Sequence, residues 1–190
     1  IEKFFSYQDW KGLYLTGGTC LAEYYFGHRV SFDMDLFTTD RDLFNNARNV
    51  ITQGRVFGSL RVESVRTMPD FCQFLLHGPK PAPIKIDLVM DIPICLGEKQ
   101  RCGLVWLDSL KDLLANKLGC LIQRNDVKDY LDLYYLIPEF NFSLPELIQI
   151  GQSKDSGLDP LILAHEIQFI QTVSKKPDYE RYSYLFGQTP

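Results

Sequence analysis

The chain has 190 residues, a formal net charge of −4 and 45% hydrophobic residues. That suits one globular domain, or one domain with a helical appendage, and is long enough to bury a core without staples. No global positive field marks a nucleic-acid partner, so any polyanion binding must use a local basic patch. The five cysteines (Cys20, Cys72, Cys95, Cys102, Cys120) form no C-x-x-C, which argues against a zinc site or a disulfide framework and for a reducing cytosol. No apolar run approaches the roughly 20 residues of a membrane span. No signal peptide is expected either, although the chain begins at Ile1 and not at Met.

In chain order, Gly17-Gly18 marks a turn and Thr19 to Phe26 a short helix ended by Gly27. Ser31 to Thr38 alternates, with Phe32, Met34 and Leu36 on one side and Asp33, Asp35 and Phe37 on the other, which predicts a strand. Residues 42–54 predict a helix with Leu43, Phe44, Ala47, Val50 and Ile51 inward. Two strands are expected near 55–66 and 70–77, then a proline-rich turn from Gly78 to Pro83 and a strong strand from Ile84 to Met90. From Asp108 the periodicity is helical. Asp108 is a candidate cap for a helix to about Arg124, with Leu110, Leu113, Leu114, Leu118 and Leu121 on its apolar side. Lys128 to Ile137 forms another helix, stopped by Pro138. Ser143 with Glu146 reads as a capping box, and Asp159-Pro160 starts a fourth helix. An α/β part (about 1–106) is therefore expected before a helical part (107–190).

The chemistry concentrates in Gly17 to Asp35. Residues i and i+2 on a strand share a face roughly 7 Å apart, so Asp33 and Asp35 can converge on a hard divalent cation, of which Mg²⁺ fits best. A solvated acidic face would show the same D-x-D. Glycines at a strand-to-helix turn let backbone N–H groups approach a phosphate, yet Gly17-Gly18-Thr19 alone is also an ordinary tight turn. The combination is more specific. Asp87, inside an apolar strand, adds a carboxylate that is costly there unless paired or metal-bound. It is a candidate third ligand and a base for an attacking hydroxyl. Lys117 and Arg124, seven residues apart, share a helix face. Lys117 lies among leucines, which suits an ammonium reaching inward to phosphate or one snorkelling at a helix edge. Asp129 and Asp132 are neighbours on the next helix, and Asp129 can either meet substrate or hold Lys117 or Arg124 in an ion pair. His28 reads as a packing residue more than a base, and Tyr130, Tyr134 and Tyr135 as core more than base-stacking aromatics.

The string Gly17-Gly18-Thr19 with His28-Arg29-x-Ser31-x-Asp33-x-Asp35, joined by Lys117, Arg124 and Lys128-Asp129-x-x-Asp132-Leu133, resembles the AbiEii/AbiGii toxin family, nucleotidyltransferases of the DNA polymerase β-like superfamily. The resemblance spans about residues 13–136. It implies an α+β nucleotidyltransferase fold, a mixed sheet flanked by helices, followed by a C-terminal helical region. It also implies Mg²⁺-dependent transfer of NMP from NTP to an acceptor hydroxyl, the expected acceptor being RNA and above all a tRNA 3′ end, in a toxin–antitoxin or phage-exclusion pair. Gly17, Gly18, Thr19 and Ser31 then match phosphate-contacting positions. Asp33, Asp35 and Asp87 match the metal carboxylates, Lys117 the triphosphate lysine and Asp129 an aspartate needed for activity. Arg29 and Arg124 are supporting nucleotide-binding candidates. Partners implied are NTP, tRNA and a cognate antitoxin, with no membrane. A small-molecule or protein hydroxyl is the alternative acceptor, and a non-catalytic binding module the alternative class. Lys111, Lys117, Arg124 and Lys128 are the basic set expected to serve an RNA.

Overall fold

The structure is a computed structural model and describes residues 1–175 and 179–182. The chain divides into two compact units. The first comprises Ile1–Cys20, Phe32–Pro93 and Glu98–Asp108; the second comprises Leu21–Ser31, Ile94–Gly97 and the residues from Ser109 onward.

The first unit contains α1 (Glu2–Phe5), β1 (Leu13–Thr16), α2 (Gly17–Cys20), β2 (Asp33–Thr38), α3 (Arg41–Gln53), β3 (Arg61–Thr67), β4 (Phe71–His77), β5 (Ile84–Met90), β6 (Gln100–Cys102) and β7 (Val105–Leu107). Its seven strands form one sheet in the order β3-β4-β5-β2-β1-β7-β6. The sheet is mixed: β2 pairs parallel with β5 and β1 parallel with β7, while β1–β2, β3–β4, β4–β5 and β6–β7 are antiparallel. This is the expected α+β arrangement.

Alternation gives the sheet two unlike faces. On β2, β4 and β5, Met34, Leu36, Cys72, Phe74, Ile86 and Leu88 are buried. Their neighbours Asp33, Asp35, Gln73, Lys85 and Asp87 stay half-open on the other face. Phe44, Ala47, Val50 and Ile51 of α3 are buried as expected. The Asp40 carboxylate accepts from the N–H groups of Asp42 (2.9 Å) and Leu43 (3.0 Å), which caps that helix. Phe32 departs from the expectation: it precedes β2 and is 63% exposed. β3 also begins later than expected, because a 3₁₀ turn over Arg55–Phe57 occupies the first residues assigned to it.

The second unit is helical. A π-helical turn spans Leu21–Phe26 and ends on a bond from Gly27 N–H to Ala22 C=O (2.9 Å). Then come α4 (Leu110–Arg124), α5 (Val127–Leu136), α6 (Leu144–Lys154) and α7 (Pro160–Ile167). Leu113, Leu114, Leu118 and Leu121 are buried as their spacing predicts. Gly151 lets α6 lie close to α4, since a Cβ there would stand 2.9 Å from Leu158 Cδ1 and 3.4 Å from Leu118 Cβ. The capping box at Ser143 and Glu146 forms, and Asp159 caps α7. Asp108 does not cap α4. Ser109 does, accepting from Asp112 N–H at 3.0 Å. The reason lies one residue back: Asp108 still belongs to the sheet, donating its N–H to Leu15 C=O (2.9 Å) on β1. Its buried carboxylate accepts from Thr16 Oγ1 and from Lys99 Nζ, both at 2.6 Å. Among the described residues no helix is long and apolar enough to cross a membrane.

Candidate active site

The half-open sheet face gathers the acidic residues. β2 and β5 run parallel, with Asp35 opposite Asp87 and Asp33 opposite Lys85, so period two brings Asp33, Asp35, Lys85 and Asp87 to one side. β1 delivers the chain to Gly17 beside this face, with Thr16 opposite Asp35. Gly17 has φ +69°, and a Cβ there would overlap Asp35 Oδ2 and stand 3.1 Å from its Cγ. Glycine is required on both counts: only it takes this φ without strain, and only it lets main chain press against the carboxylate. The Thr19 hydroxyl donates to the main-chain oxygen of Asp33, which ties the turn to the acidic strand.

Asp87 is held from two sides. Gln73 Nε2 donates to Oδ1 at 2.9 Å, and Lys85 Nζ donates to Oδ2 at 2.8 Å. Lys85 also stands 3.5 Å from Asp33 Oδ2. Burial lowers the Lys85 ammonium pKa, but the hydrogen bond and charge of Asp87, with the charges of Asp33 and Asp35, outweigh it and leave the pKa above its usual value. Among the described residues no three His, Cys, Asp or Glu side chains are gathered tightly enough to hold a metal ion as they stand. The donor chemistry nevertheless fits Mg²⁺: three hard oxygen groups share one face, two are in register, and a cationic nitrogen already sits against two of them.

The other predicted residues lie in the second unit, where six side chains form a buried charge cluster. Lys117 is 4% exposed, and its Nζ lies 2.9 Å from Asp129 Oδ1 and 2.6 Å from Asp132 Oδ2. Arg124 grips Asp129 with two bonds, from Nε at 2.6 Å and Nη2 at 2.7 Å. Arg29 grips Asp132 likewise, at 2.6 and 3.0 Å, and His28 Nε2 lies 2.7 Å from the same carboxylate. Burial works against ionisation of both aspartates. Lys117, His28 and Arg29 overcome it at Asp132, and Arg124 and Lys117 at Asp129, so both carboxyls sit below the usual range, Asp132 far below it. Lys117 is raised in turn, the two carboxylates outweighing its desolvation. Lys117, Arg29 and Arg124 bring three cations to the two carboxylates. Only Arg124, its side chain 46% exposed, combines membership of this cluster with substantial surface.

The structure therefore places Asp33, Asp35, Asp87, Gly17, Gly18 and Thr19 together in the first unit. It places Lys117, Arg124, Asp129 and Arg29 together in the second, with Ser31 half-buried two residues after Arg29. The ion-pair alternative for Asp129 is the geometry found. Lys85 carries no expected role from the sequence, and Asp132 only its place beside Asp129. Lys85 is marked by the K-x-D spacing on a strand, which puts it on the face of Asp87. Asp132 is bonded to three basic side chains, and only its distance in sequence from His28 and Arg29 hid that. The basic set is not a stripe, since Lys117 is buried, Lys128 stands 3.8 Å from Asp126, and Lys111 leans on the Phe142 ring at 6.0 Å. Tyr130 is fully buried, its hydroxyl bonded to Asn125 (2.8 Å), whereas Tyr134 is 45% exposed.

A profile of the family described as "Nucleotidyl transferase AbiEii toxin, Type IV TA system" matches residues 8–155. An uncharacterized protein of Aquifex aeolicus (strain VF5), aq_aa25, is 28% identical over 173 residues, covering 90% of this chain and 80% of its own. Two solved structures share the fold. One is JHP933 from Helicobacter pylori, at 13% identity and TM-score 0.59, with 94% of this chain and 89% of that one covered. The other is MenT4, a nucleotidyltransferase toxin from Mycobacterium tuberculosis H37Rv, at 13% identity and TM-score 0.60, with 95% and 84% covered.

Proposed function

The chain belongs to the nucleotidyl transferase AbiEii toxin family, and from that premise we propose that this nucleotidyltransferase moves an NMP from an NTP to an acceptor hydroxyl, with Mg²⁺ held by Asp33, Asp35 and Asp87. One observation carries the reading: Asp35 and Asp87 face each other in register on an open sheet face, with the Gly17 backbone pressed against Asp35. A solvated acidic strand has no need of such a glycine.

The division of roles follows from that geometry. The amides of Gly17, Gly18 and Thr19 offer N–H donors to the triphosphate. Asp33, Asp35 and Asp87 would hold the metal, which when bound would neutralise phosphate charge and acidify the attacking hydroxyl. Asp87, oriented by Gln73 and Lys85, takes the proton of that hydroxyl. The acceptor oxygen bonds to the α-phosphorus, the bond to the bridging oxygen breaks, and pyrophosphate leaves. Ser31 and Arg29 keep the nucleotide-binding roles that the family implies. For Lys117 and Asp129 the ion pairs favour a scaffold role: they fix Arg124, whose exposed guanidinium is the cluster member suited to a phosphate.

The family description names a type IV toxin–antitoxin system, which supports a toxin activity countered by a cognate antitoxin; the acceptor we propose, from the family resemblance alone, is RNA such as the tRNA 3′ end. A second reading, a small-molecule or protein hydroxyl as acceptor, is favoured by the burial of Lys117 and the pairing of Lys128, which remove two cations from the basic set. Incubation with α-labelled NTPs and a total cell extract decides the matter. Label in tRNA supports the first reading, and label in a small molecule or protein supports the second. No label in any species with wild-type protein rejects the transfer activity.

A further inference from the structure

Lys85 has no part in the roles assigned above beyond its bond to Asp87, yet its position is unusual. It is on β5 two residues before Asp87, opposite Asp33 on β2. Its ammonium is 2.8 Å from one carboxylate and 3.5 Å from the other, and the side chain is one-third exposed. Three carboxylates on one sheet face repel one another, and the repulsion is stronger where solvent is partly excluded. A lysine in this place answers that repulsion with one positive charge, on a stem flexible enough to leave.

We propose that Lys85 is a built-in counter-cation of the carboxylate site: it holds Asp33 and Asp87 in place before the metal arrives, competes with the metal for them, and is released when the metal binds. Resting on the metal-site reading of Asp33, Asp35 and Asp87, this deepens it by naming what the metal must displace. Three consequences follow. Divalent binding to the nucleotide-free protein is weak, because each ion must displace an ammonium already in contact. NTP strengthens it, since the triphosphate brings further oxygen ligands and gives the released ammonium an anion to meet. Lys85 thus makes metal loading conditional on substrate, which guards a site of three acids against idle occupancy. Gln73, neutral and bonded to the other oxygen of Asp87, keeps that carboxylate oriented while Lys85 moves.

The test is calorimetric titration of Mn²⁺ alone into the nucleotide-free protein. Wild type, Lys85→Met, Lys85→Arg and the Asp33→Asn/Asp35→Asn double variant are compared, with thermal melts of each at zero and saturating Mn²⁺. Lys85→Met is expected to bind Mn²⁺ about tenfold or more tightly than wild type, from removal of a competing unit charge at contact distance. It is also expected to melt lower than wild type without metal and to be restored by Mn²⁺. Lys85→Arg, which keeps the charge, is expected to stay near wild type in affinity. Equal or weaker Mn²⁺ binding by Lys85→Met, with binding still lost in the double variant, would overturn the counter-cation role and leave the metal site standing. Equal binding by all four proteins, or binding by none of them, would overturn both.

Discussion

Replacing Lys117 with Met tests the charge cluster of the helical unit most sharply. Met keeps the length and most of the volume of lysine, so packing against the α4 leucines changes little, by less than about 1.5 kcal/mol. What is lost is the ammonium shared by Asp129 and Asp132, both fully buried. Breaking a buried pair by removing one partner costs about 3–5 kcal/mol. The lower half of that range applies, because Arg124 still grips Asp129 and Arg29 still grips Asp132. About 3 kcal/mol in a chain of this size lowers Tm by roughly 6–12 °C. A surface lysine in a solvated pair would give about 0–1 kcal/mol, so differential scanning calorimetry at pH 7 separates the cases. The Lys117→Met/Asp132→Asn double variant should lose less than the sum of the two single changes, since the charges left unpaired by each cancel. A Lys117→Met protein that melts within a degree or two of wild type while losing nucleotide transfer would refute the scaffold role and restore direct phosphate contact.

The remaining predictions concern pH, the glycine turn and the acceptor. Asp112 is bonded to Lys154 (2.8 Å), Ser109 and the N–H groups of Leu96 and Gly97. Against the opposing effect of burial these partners pull its pKa from 3.8 to about 2. A depressed carboxyl stabilises above its unfolded pKa and loses that contribution as pH falls through the folded one. Acid melts should therefore show about 2 kcal/mol leaving between pH 4 and roughly 2, a loss absent in Asp112→Asn; an unchanged acid limb in that variant would count against the network. Gly17→Ala should lose metal and nucleotide binding, because the new methyl overlaps Asp35 Oδ2 and the backbone is left-handed there, at about 1–2 kcal/mol; wild-type MgNTP affinity in this variant would show that the turn is not part of the site. If RNA is the acceptor, filter binding of tRNA against salt should give a log–log slope of about −0.7 for each single-stranded phosphate contact, made shallower by Arg124→Gln; no binding at low salt would promote the small-molecule or protein acceptor.

Local signals made much of this structure legible in advance. β5 reads directly from its apolar β-branched run, and β2 from alternation, which also put Asp33 and Asp35 on one face. The caps at Ser143 and Asp159 lie within a few residues of what they cap. The failures share a cause in longer range. Asp108 looks like an N-cap by composition, but its carboxylate is taken by Thr16, 92 residues away. Lys117 and Arg29 converge on Asp132 from two separate stretches of chain, which no spacing rule announces. Residues 91–107 drew no assignment because β6 and β7 have only three residues each, too few for periodicity to register. Lys85 is different: its i, i+2 relation to Asp87 was readable by the same rule that paired Asp33 with Asp35.

The central claim is that the carboxylates beside the Gly17 turn hold the metal that binds NTP. Calorimetric titration of MgATP and MgCTP into wild type and into Asp33→Asn/Asp35→Asn, with circular dichroism confirming that both are folded, tests it most directly. The account predicts Mg²⁺-dependent binding of at least one nucleotide by wild type and none by the folded double variant, whereas equal affinity in the two proteins would contradict it.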